Sequence, residues 1–316
     1  MKLLITGGCG FIGSNFIRHI LRKYPNYKIV NLDKLTYAGN PDNLKDIESN
    51  SNYEFVKGDI RDAALVSKLM DKIKVIVNFA AESHVDRSIK DPDDFLSTNI
   101  FGTHVLLKAA LQFKKKMLQI STDEVYGSIE KGSFSESSNL EPNSPYSASK
   151  ASADLLCMAY HATYNLPVTI ARSSNNFGPY QYPEKIIPLF ITNLIEGKKV
   201  PLYGDGKNVR DWIFVLDNCK AIDIVLHKGA PAQVYNIASG TEVMNIDLTK
   251  KILKLMGKSE SSIEYVEDRK GHDRRYSLDT KKIKSLGWSP ESDFEKDLKL
   301  TIEWYKKNSS WCGKLK

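Results

Sequence analysis

A doubly wound α/β fold, with a parallel sheet covered on both faces by helices and a smaller, interleaved C-terminal lobe, is predicted by three observations. Short apolar runs alternate with helix-like stretches through the first half of the chain. A glycine triplet joins the first run to the first helix. After Arg172 the alternation gives way to turn-rich segments. The predicted strands of the first half are Lys2–Thr6, Lys28–Leu32, Tyr53–Lys57, Val75–Asn78, Met117–Ser121 and Val168–Arg172. Between them, Phe11–Arg22, Ala63–Met70, Asp94–Phe113 and Tyr146–Tyr164 read as helices, the last with Pro145 at a position that suits a helix start. Beyond Arg172, turns are expected at Asn175–Pro183 and Tyr203–Asn208, and helices near Ile186–Glu196 and Leu216–His227. Val234–Ile237 reads as a strand returning to the main sheet.

Composition narrows the function classes. The chain has 316 residues, 41% hydrophobic and 26% charged, as in an ordinary globular protein large enough for a substantial core. No apolar run approaches the length of a membrane span, so no membrane partner is expected. Met1–Thr6 has one Lys and a short apolar stretch before two glycines, which is no secretion signal. Cys9, Cys157, Cys219 and Cys312 have no C-x-x-C spacing, so neither a disulfide framework nor a zinc site is expected and a reduced, cytoplasmic setting fits. No histidine spacing suggests a metal. The net charge of +7 attracts anions. It is not gathered into a tail, and its one basic triplet, Lys114–Lys116, ends a predicted helix. A small anionic substrate accounts for the excess as well as nucleic acid does, and no nucleic-acid partner is expected.

Gly7-x-x-Gly10-x-x-Gly13 follows the first strand and opens a helix whose first residues include Phe11 and Ile12. Glycines let a backbone turn tightly against a pyrophosphate, and the helix N-terminus favours negative charge. Asp33 lies 20 residues beyond Gly13 at the end of the second strand, where its carboxylate suits the ribose hydroxyls of an adenosine. This Rossmann-type arrangement argues for NAD over NADP, although the neighbouring Lys34 weakens the discrimination. Asp59 and Ile60 end the next unit, placed for an adenine ring, and the small Ala80 and Ala81 follow Phe79 where a cofactor comes close. Taken alone, the triplet would be a plain glycine-rich turn; the strand, helix and Asp33 in register make it a fingerprint.

Tyr146-x-x-x-Lys150 puts two side chains on one helical face. A nearby ammonium and a bound nicotinamide cation would favour the phenolate, so that Tyr146 takes the proton of a hydroxyl losing hydride. The bland alternative is a surface Tyr–Lys pair. Ser121-Thr122-Asp123-Glu124-Val125-Tyr126-Gly127 follows the fifth strand, at the sheet edge where ligands bind. Thr122 offers a hydroxyl to a substrate oxygen. Asp123 and Glu124 are adjacent carboxylates suited to acid and base work if their environments separate them; otherwise they form a solvated turn or cap.

These segments, with Leu32–Asn40, Ala80–Ser88, Arg172–Gln181, Val209–Trp212 and Asp268–Tyr276, make the chain closely resemble the extended short-chain dehydrogenase/reductase family. Within it, the chain is similar to the dTDP-glucose 4,6-dehydratases. The resemblance spans nearly the whole chain, and the Thr122–Glu124 triplet is its most specific mark. It implies a lyase that dehydrates dTDP-glucose to dTDP-4-dehydro-6-deoxy-glucose in deoxysugar biosynthesis, with NAD tightly bound and regenerated in each turnover. Tyr146 would take the C4 hydroxyl proton, Glu124 the C5 proton, and Asp123 would protonate the departing C6 hydroxyl. Lys150 and Thr36 would also meet the cofactor. Ser83, His84, Asn176, Lys185, Tyr203, Arg210, Asn245, Arg269 and His272 would meet the substrate. Taken singly, Arg210 could merely pair with Asp211, and Arg269 could be a solvated surface charge. Residues 1–174 would be mainly the NAD-binding unit and 175–316 mainly the nucleotide-sugar lobe, with segments returning to the first. A homodimer through the two long helices is also implied. Rival readings are an epimerase, a decarboxylase or a dehydratase acting on another nucleotide sugar, and a non-catalytic NAD sensor, which would not need the acidic pair beside Tyr146 and Lys150.

Overall fold

The computed structural model describes residues 1–313 and 315. In the first half, strands β1 (Lys2–Thr6), β2 (Lys28–Asp33), β3 (Tyr53–Lys57), β4 (Val75–Asn78) and β5 (Lys116–Thr122) alternate with helices α1 (Phe11–Lys23), α2 (Ala63–Leu69), α3 (Val85–Lys90), α4 (Asp93–Phe95) and α5 (Thr103–Gln112). Then come α6 (Pro145–Tyr164) and β6 (Val168–Ser173). The later half holds β7 (Asn175–Phe177), α7 (Ile186–Ile195), β8 (Val200–Tyr203), β9 (Val209–Phe214), α8 (Val215–Lys228), β10 (Val234–Ile237), β11 (Glu242–Met244), α9 (Asn245–Leu255), β12 (Ile263–Val266), α10 (Lys281–Ser285) and α11 (Phe294–Lys307).

The main sheet has seven strands in the order β10-β6-β5-β4-β1-β2-β3, all parallel. Alternation along each strand divides its apolar residues between two cores. Leu3, Ile5, Val75, Val77, Leu118 and Ile120 face α1 and α8. Leu4, Ile76 and Met117 face the opposite way, toward α2, α5 and α6. A strand buried on both faces reads as a continuous apolar run, which is why these strands are legible in the sequence. The expected return to the main sheet occurs: β10 pairs with β6, and α8 packs against α1. A third core, including Phe190, Trp212, Leu248 and Tyr305, lies among α7, β9, α9 and α11. No helix among the described residues is long and apolar enough to cross a membrane.

Two expected segments differ from the structure. Asn175–Pro183 is not all turn: Asn175–Phe177 form β7, paired in parallel with β9. Three residues are too few to show a period, and their pairing partners lie more than thirty positions away. The expected helix Asp94–Phe113 is helical throughout most of its length but changes winding, because Leu96–Gly102 is π-helical. That wider stretch carries Asn99, whose amide bonds both backbone groups of Glu82 and the Ser149 hydroxyl. Gly102 leaves room there for Ile60, whose side chain a Cβ would meet at 2.4 Å.

The start of α6 is set by local chemistry. The Ser144 hydroxyl accepts from the Ser147 amide at 3.1 Å and the Ser147 hydroxyl from the Ser144 amide at 3.0 Å, with Pro145 at the first helical position. Further along, Asp154 accepts from Arg172 Nε at 2.8 Å and from the Ser121 hydroxyl at 3.0 Å, while Arg172 Nη1 donates to the Tyr126 hydroxyl at 2.7 Å. Asp154 and Arg172 are both buried, and they tie α6 to β5 and β6 directly behind the residues of interest. Arg172→Met is expected to leave Asp154 as an uncompensated buried charge and to cost about 3–5 kcal/mol in urea unfolding. A loss below about 1 kcal/mol would show that the pair does not hold these elements together.

Candidate active site

The parallel order brings the C-terminal ends of β1, β2, β4, β5 and β6 to one edge, and one continuous cavity lies there. Every residue expected to meet cofactor or substrate lines this cavity, from Gly7 in the first loop to His272 in the last. Several lining residues were given no role from the sequence, although four of them lie in segments that carry the family resemblance. Glu82, Asp86, Glu184, Pro201, Trp212 and Tyr276 also line it, brought in from separate loops by the tertiary fold.

The glycine loop runs from β1 into α1. Gly7 has φ +69°, and a Cβ there would stand 2.6 Å from the Ala80 backbone. At Gly13 a Cβ would meet the Gly7 carbonyl oxygen at 2.5 Å, so only glycine lets α1 sit this close to the loop. Asp33 Oδ2 accepts from the Cys9 amide and Oδ1 from the Leu35 amide, each at 2.8 Å. The carboxylate thus organises the loop and still faces the cavity. The cradle free of side chains and a carboxylate at the end of β2 fit a dinucleotide with unmodified ribose hydroxyls. Lys34 is drawn off to Asp59 at 3.1 Å, and Arg61 bonds the same carboxylate at 2.7 Å. Burial opposes the charge on Asp59, but Arg61 and Lys34 hold it down at about 2. An adenine amine at Asp59 would therefore share a carboxylate that two cations already use.

At the end of β5, Thr122 caps a short 3-10 turn over Asp123–Tyr126, accepting from the Glu124 amide at 3.3 Å and donating to Asp123 Oδ1 at 3.1 Å. Asp123 is 2% exposed and its Oδ2 is unbonded, so the pair is not a solvated turn. Burial, then the Glu124 charge, pushes Asp123 well above the usual carboxylate range. Burial also raises Glu124, but Lys185, Arg210 and Arg269 oppose the rise. Two adjacent carboxylates therefore stand in different electrostatic settings, one favouring the acid and one closer to the base.

Tyr146 and Lys150 are 8% and 5% exposed, which removes the reading as a surface pair. Thr122 stands by the Tyr146 phenol and favours its ionised form. Lys150 is not among the largest influences on that phenol. The ammonium donates instead to the Ile120 carbonyl at 2.6 Å, and burial, followed by the Glu124 charge, holds Tyr146 well above its ordinary value. Burial lowers Lys150 in turn.

The opposite wall is cationic. Arg210 does not pair with Asp211, whose carboxylate accepts from the Ser239 and Gly240 amides. Its guanidinium bonds the Val209 and Asp273 carbonyls and lies over Tyr276 at 4.2 Å, leaving its charge directed at Glu124 and the cavity. Arg269 is not a free surface charge; it pairs with Asp86 at 2.8 Å. Lys185 donates to the Ser83 carbonyl at 2.6 Å. His84 caps α3, and burial followed by the Lys185 charge lowers it to about 4, so it presents a neutral ring. His272 bonds Asp268 at 2.7 Å, and the Tyr203 hydroxyl bonds Asp86 at 3.3 Å. Asn176 and Asn245 each have a buried side-chain oxygen without a partner. Among the described residues no group of three or more His, Cys, Asp or Glu is arranged to hold a metal.

The family model described as GDP-mannose 4,6 dehydratase matches residues 4–301. The chain belongs to this family. Within the GDP-mannose 4,6 dehydratase family, it is 54% identical to the low-salt glycan biosynthesis protein Agl12 of Haloferax volcanii, over 96% of this chain and 98% of that one. It is 51% identical to the dTDP-glucose 4,6-dehydratase of Streptomyces antibioticus, over 100% of this chain and 96% of that one. The solved structure of DesIV, a dTDP-glucose 4,6-dehydratase from Streptomyces venezuelae with NAD bound, superposes with a TM-score of 0.98 at 50% identity, covering both chains fully.

In this dehydratase-family chain, Asp33→Ala is expected to strip two loop amides of their acceptor as well as the ribose of its partner. NAD binding should weaken about tenfold or more, and any preference over NADP should narrow. Titration of both nucleotides checks this. Tighter binding of NADP by the parent protein would overturn the assignment of Asp33.

Proposed function

We propose that the chain is a dTDP-glucose 4,6-dehydratase, a hydro-lyase that uses NAD and releases dTDP-4-dehydro-6-deoxy-glucose. The observation that carries this reading is the Asp123–Glu124 pair, Asp123 buried and Glu124 half-buried and so unequal in their surroundings, beside Tyr146 and Lys150 in the cavity that also holds the glycine loop. An enzyme that only oxidised and reduced an alcohol would not need those two carboxylates. The names of the relatives at about half identity point to the dTDP sugar.

Gly7, Gly10, Phe11, Ile12 and Gly13 would hold the pyrophosphate end of the cofactor and Asp33 its adenosine ribose, with Lys34, Thr36, Asp59, Ile60, Ala80 and Ala81 along the same wall. When bound, NAD would take up hydride from C4 and return it to C6, and its oxidised form would add positive charge that favours the phenolate form of Tyr146. Tyr146 accepts the C4 hydroxyl proton, and Thr122 steadies the same oxygen as its charge changes. The 4-ketone acidifies the C5 proton, which Glu124 removes; C5 is reprotonated once hydride has returned to C6. Asp123, whose protonated form burial favours, gives its proton to the C6 hydroxyl as the C6–O bond breaks and water leaves. Arg210, Arg269 and Lys185 face the diphosphate side, with Ser83, His84, Asn176, Tyr203, Asn245 and His272 around the sugar and nucleotide. In this reading residues 1–174 supply mainly the NAD wall and residues 175–316 mainly the sugar-nucleotide wall.

A homodimer is proposed through the helical run from Asp93 to Gln112 and α6. Leu96, Phe101, Leu155 and Tyr164 are all large, apolar and more than 40% exposed there. A single-chain mass by sedimentation at micromolar concentration would overturn it. The proposed setting is the cytoplasm, in keeping with the buried thiols of Cys9, Cys157 and Cys219.

Incubation with dTDP-, UDP-, CDP- and GDP-glucose followed by mass analysis tests the activity. Loss of one water from dTDP-glucose is expected, and an unchanged mass with every substrate would overturn the proposal. Glu124→Gln should still accumulate NADH and the 4-keto sugar but stall before dehydration, with solvent-deuterium exchange at C5 falling sharply. Asp123→Asn should retain more C5 exchange while water loss slows. Each loss is expected to be about 10²- to 10⁴-fold in rapid-quench measurements. Dehydration at the parent rate in both variants would return the pair to a structural role.

A further inference from the structure

Glycine-rich loops have little conformational preference of their own, so neighbours must hold them. In the loop after β1, the Gly10 amide reaches the Gly7 carbonyl at a long 3.2 Å. Three polar side chains grip the loop from outside. Asn31 accepts from the Gly8 amide at 3.0 Å, Asp33 accepts from the Cys9 amide at 2.8 Å, and Asn43 Nδ2 donates to the Cys9 carbonyl at 2.8 Å. Asn31 and Asp33 lie on the neighbouring β2. Asn43 lies in a 3-10 turn over Pro41–Ile47, is 1% exposed, and is held from the far end of the chain. Its Oδ1 accepts the indole N–H of Trp311 at 2.9 Å, across a separation of 268 residues.

This contact sets which way the Asn43 amide points. An indole N–H only donates and a backbone carbonyl only accepts, so Oδ1 must face Trp311 and Nδ2 must face Cys9. Without the indole donor, Asn43 keeps only its Nδ2 bond to the Cys9 carbonyl, which also accepts from the Asn40 amide at 3.1 Å, so its amide is held from one end instead of two, and a rotated amide would set oxygen against the Cys9 carbonyl. Trp311 is seated by aromatic rings, with its centroid 5.1 Å from Trp304 and 6.1 Å from Tyr180. Arg18 of α1 lies over the Tyr180 ring at 4.3 Å and also bonds the Asn43 carbonyl. The same end of the chain touches the other wall of the cavity, where the Tyr305 hydroxyl donates to the Gln181 carbonyl and the Tyr182 hydroxyl to the Leu315 carbonyl.

We propose that Trp311 is a positioning residue for the dinucleotide loop, fixing the Cys9 carbonyl through Asn43 and thereby slowing the release of NAD. The inference rests on NAD occupying the cavity and is independent of which sugar nucleotide the protein uses. Trp311→Phe removes the N–H and keeps most of the ring packing. Trp304→Phe disturbs the same aromatic cluster without touching Asn43. NAD release from each holoprotein is followed into an excess of an NAD-consuming trap, and the melting temperature of each NAD-free protein is measured alongside. W311F is expected to release NAD about five- to tenfold faster, the size of one lost buried hydrogen bond, while W304F lowers the melting temperature and releases NAD near the parent rate. In combination with Asn43→Leu, W311F should add nothing to the release rate of Asn43→Leu alone, because both act through one amide. Release from W311F at the parent rate would overturn the proposal. So would equal acceleration by W304F, or independent effects of W311F and Asn43→Leu. Because the probe is NAD alone, a failed dehydration assay and a failed release assay are separate results.

Discussion

Burial of charged groups at the edge of the parallel sheet is the constraint on which the rest of the site depends. Asp123, Glu124, Tyr146 and Lys150 are ionisable groups placed where burial disfavours charge, and burial is the largest influence on each. In water two neighbouring carboxylates would titrate near their ordinary values and behave alike. Here a few charges decide between them. Lys185, Arg210 and Arg269 bear on Glu124 and hold back its rise, whereas Asp123 feels the Glu124 charge directly.

Keeping such groups in place requires a rigid surround, and the structure supplies it with buried polar bonds instead of surface ion pairs. Arg172 and Asp154 join β6 to α6 and reach Tyr126 at the end of the acidic turn. The Ser144–Ser147 box sets where α6 begins and so where Tyr146 stands. On the cofactor side, Asn31, Asp33 and Asn43 grip a glycine loop that could not hold a shape alone. Apart from the half-buried Ser144, these side chains are polar, buried and bonded, which makes them costly to remove and unforgiving of substitution.

The first half of the fold was legible because the inner strands of the parallel sheet are covered on both faces and spell runs of apolar residues, and each crossover helix has room to show its own period; β3, exposed at the sheet edge, is legible by its flanking turns instead. The same reasoning failed on β7, whose three residues pair only with distant β9, and on the π-helical stretch Leu96–Gly102, whose winding follows contacts with Glu82, Ser149 and Ile60. Motif residues of the site were legible for a related reason. The glycine loop, Asp33, the Thr122–Glu124 turn and the Tyr146–Lys150 pair are each short in sequence and each sit at the end of a readable element.

What the sequence determined by itself was the chemistry available: glycines where a backbone must approach a phosphate, a carboxylate one unit later, and an acidic pair after a buried strand. Those choices are local, and local spacing records them. Tertiary structure decided their state. It turned Lys150 toward the Ile120 carbonyl, drew Lys34 to Asp59, freed Arg210 from Asp211, and brought Trp311 across the chain to Asn43. Burial, charge balance and the direction of a hydrogen bond are set by groups that meet only when distant segments pack, so no window of sequence contains them.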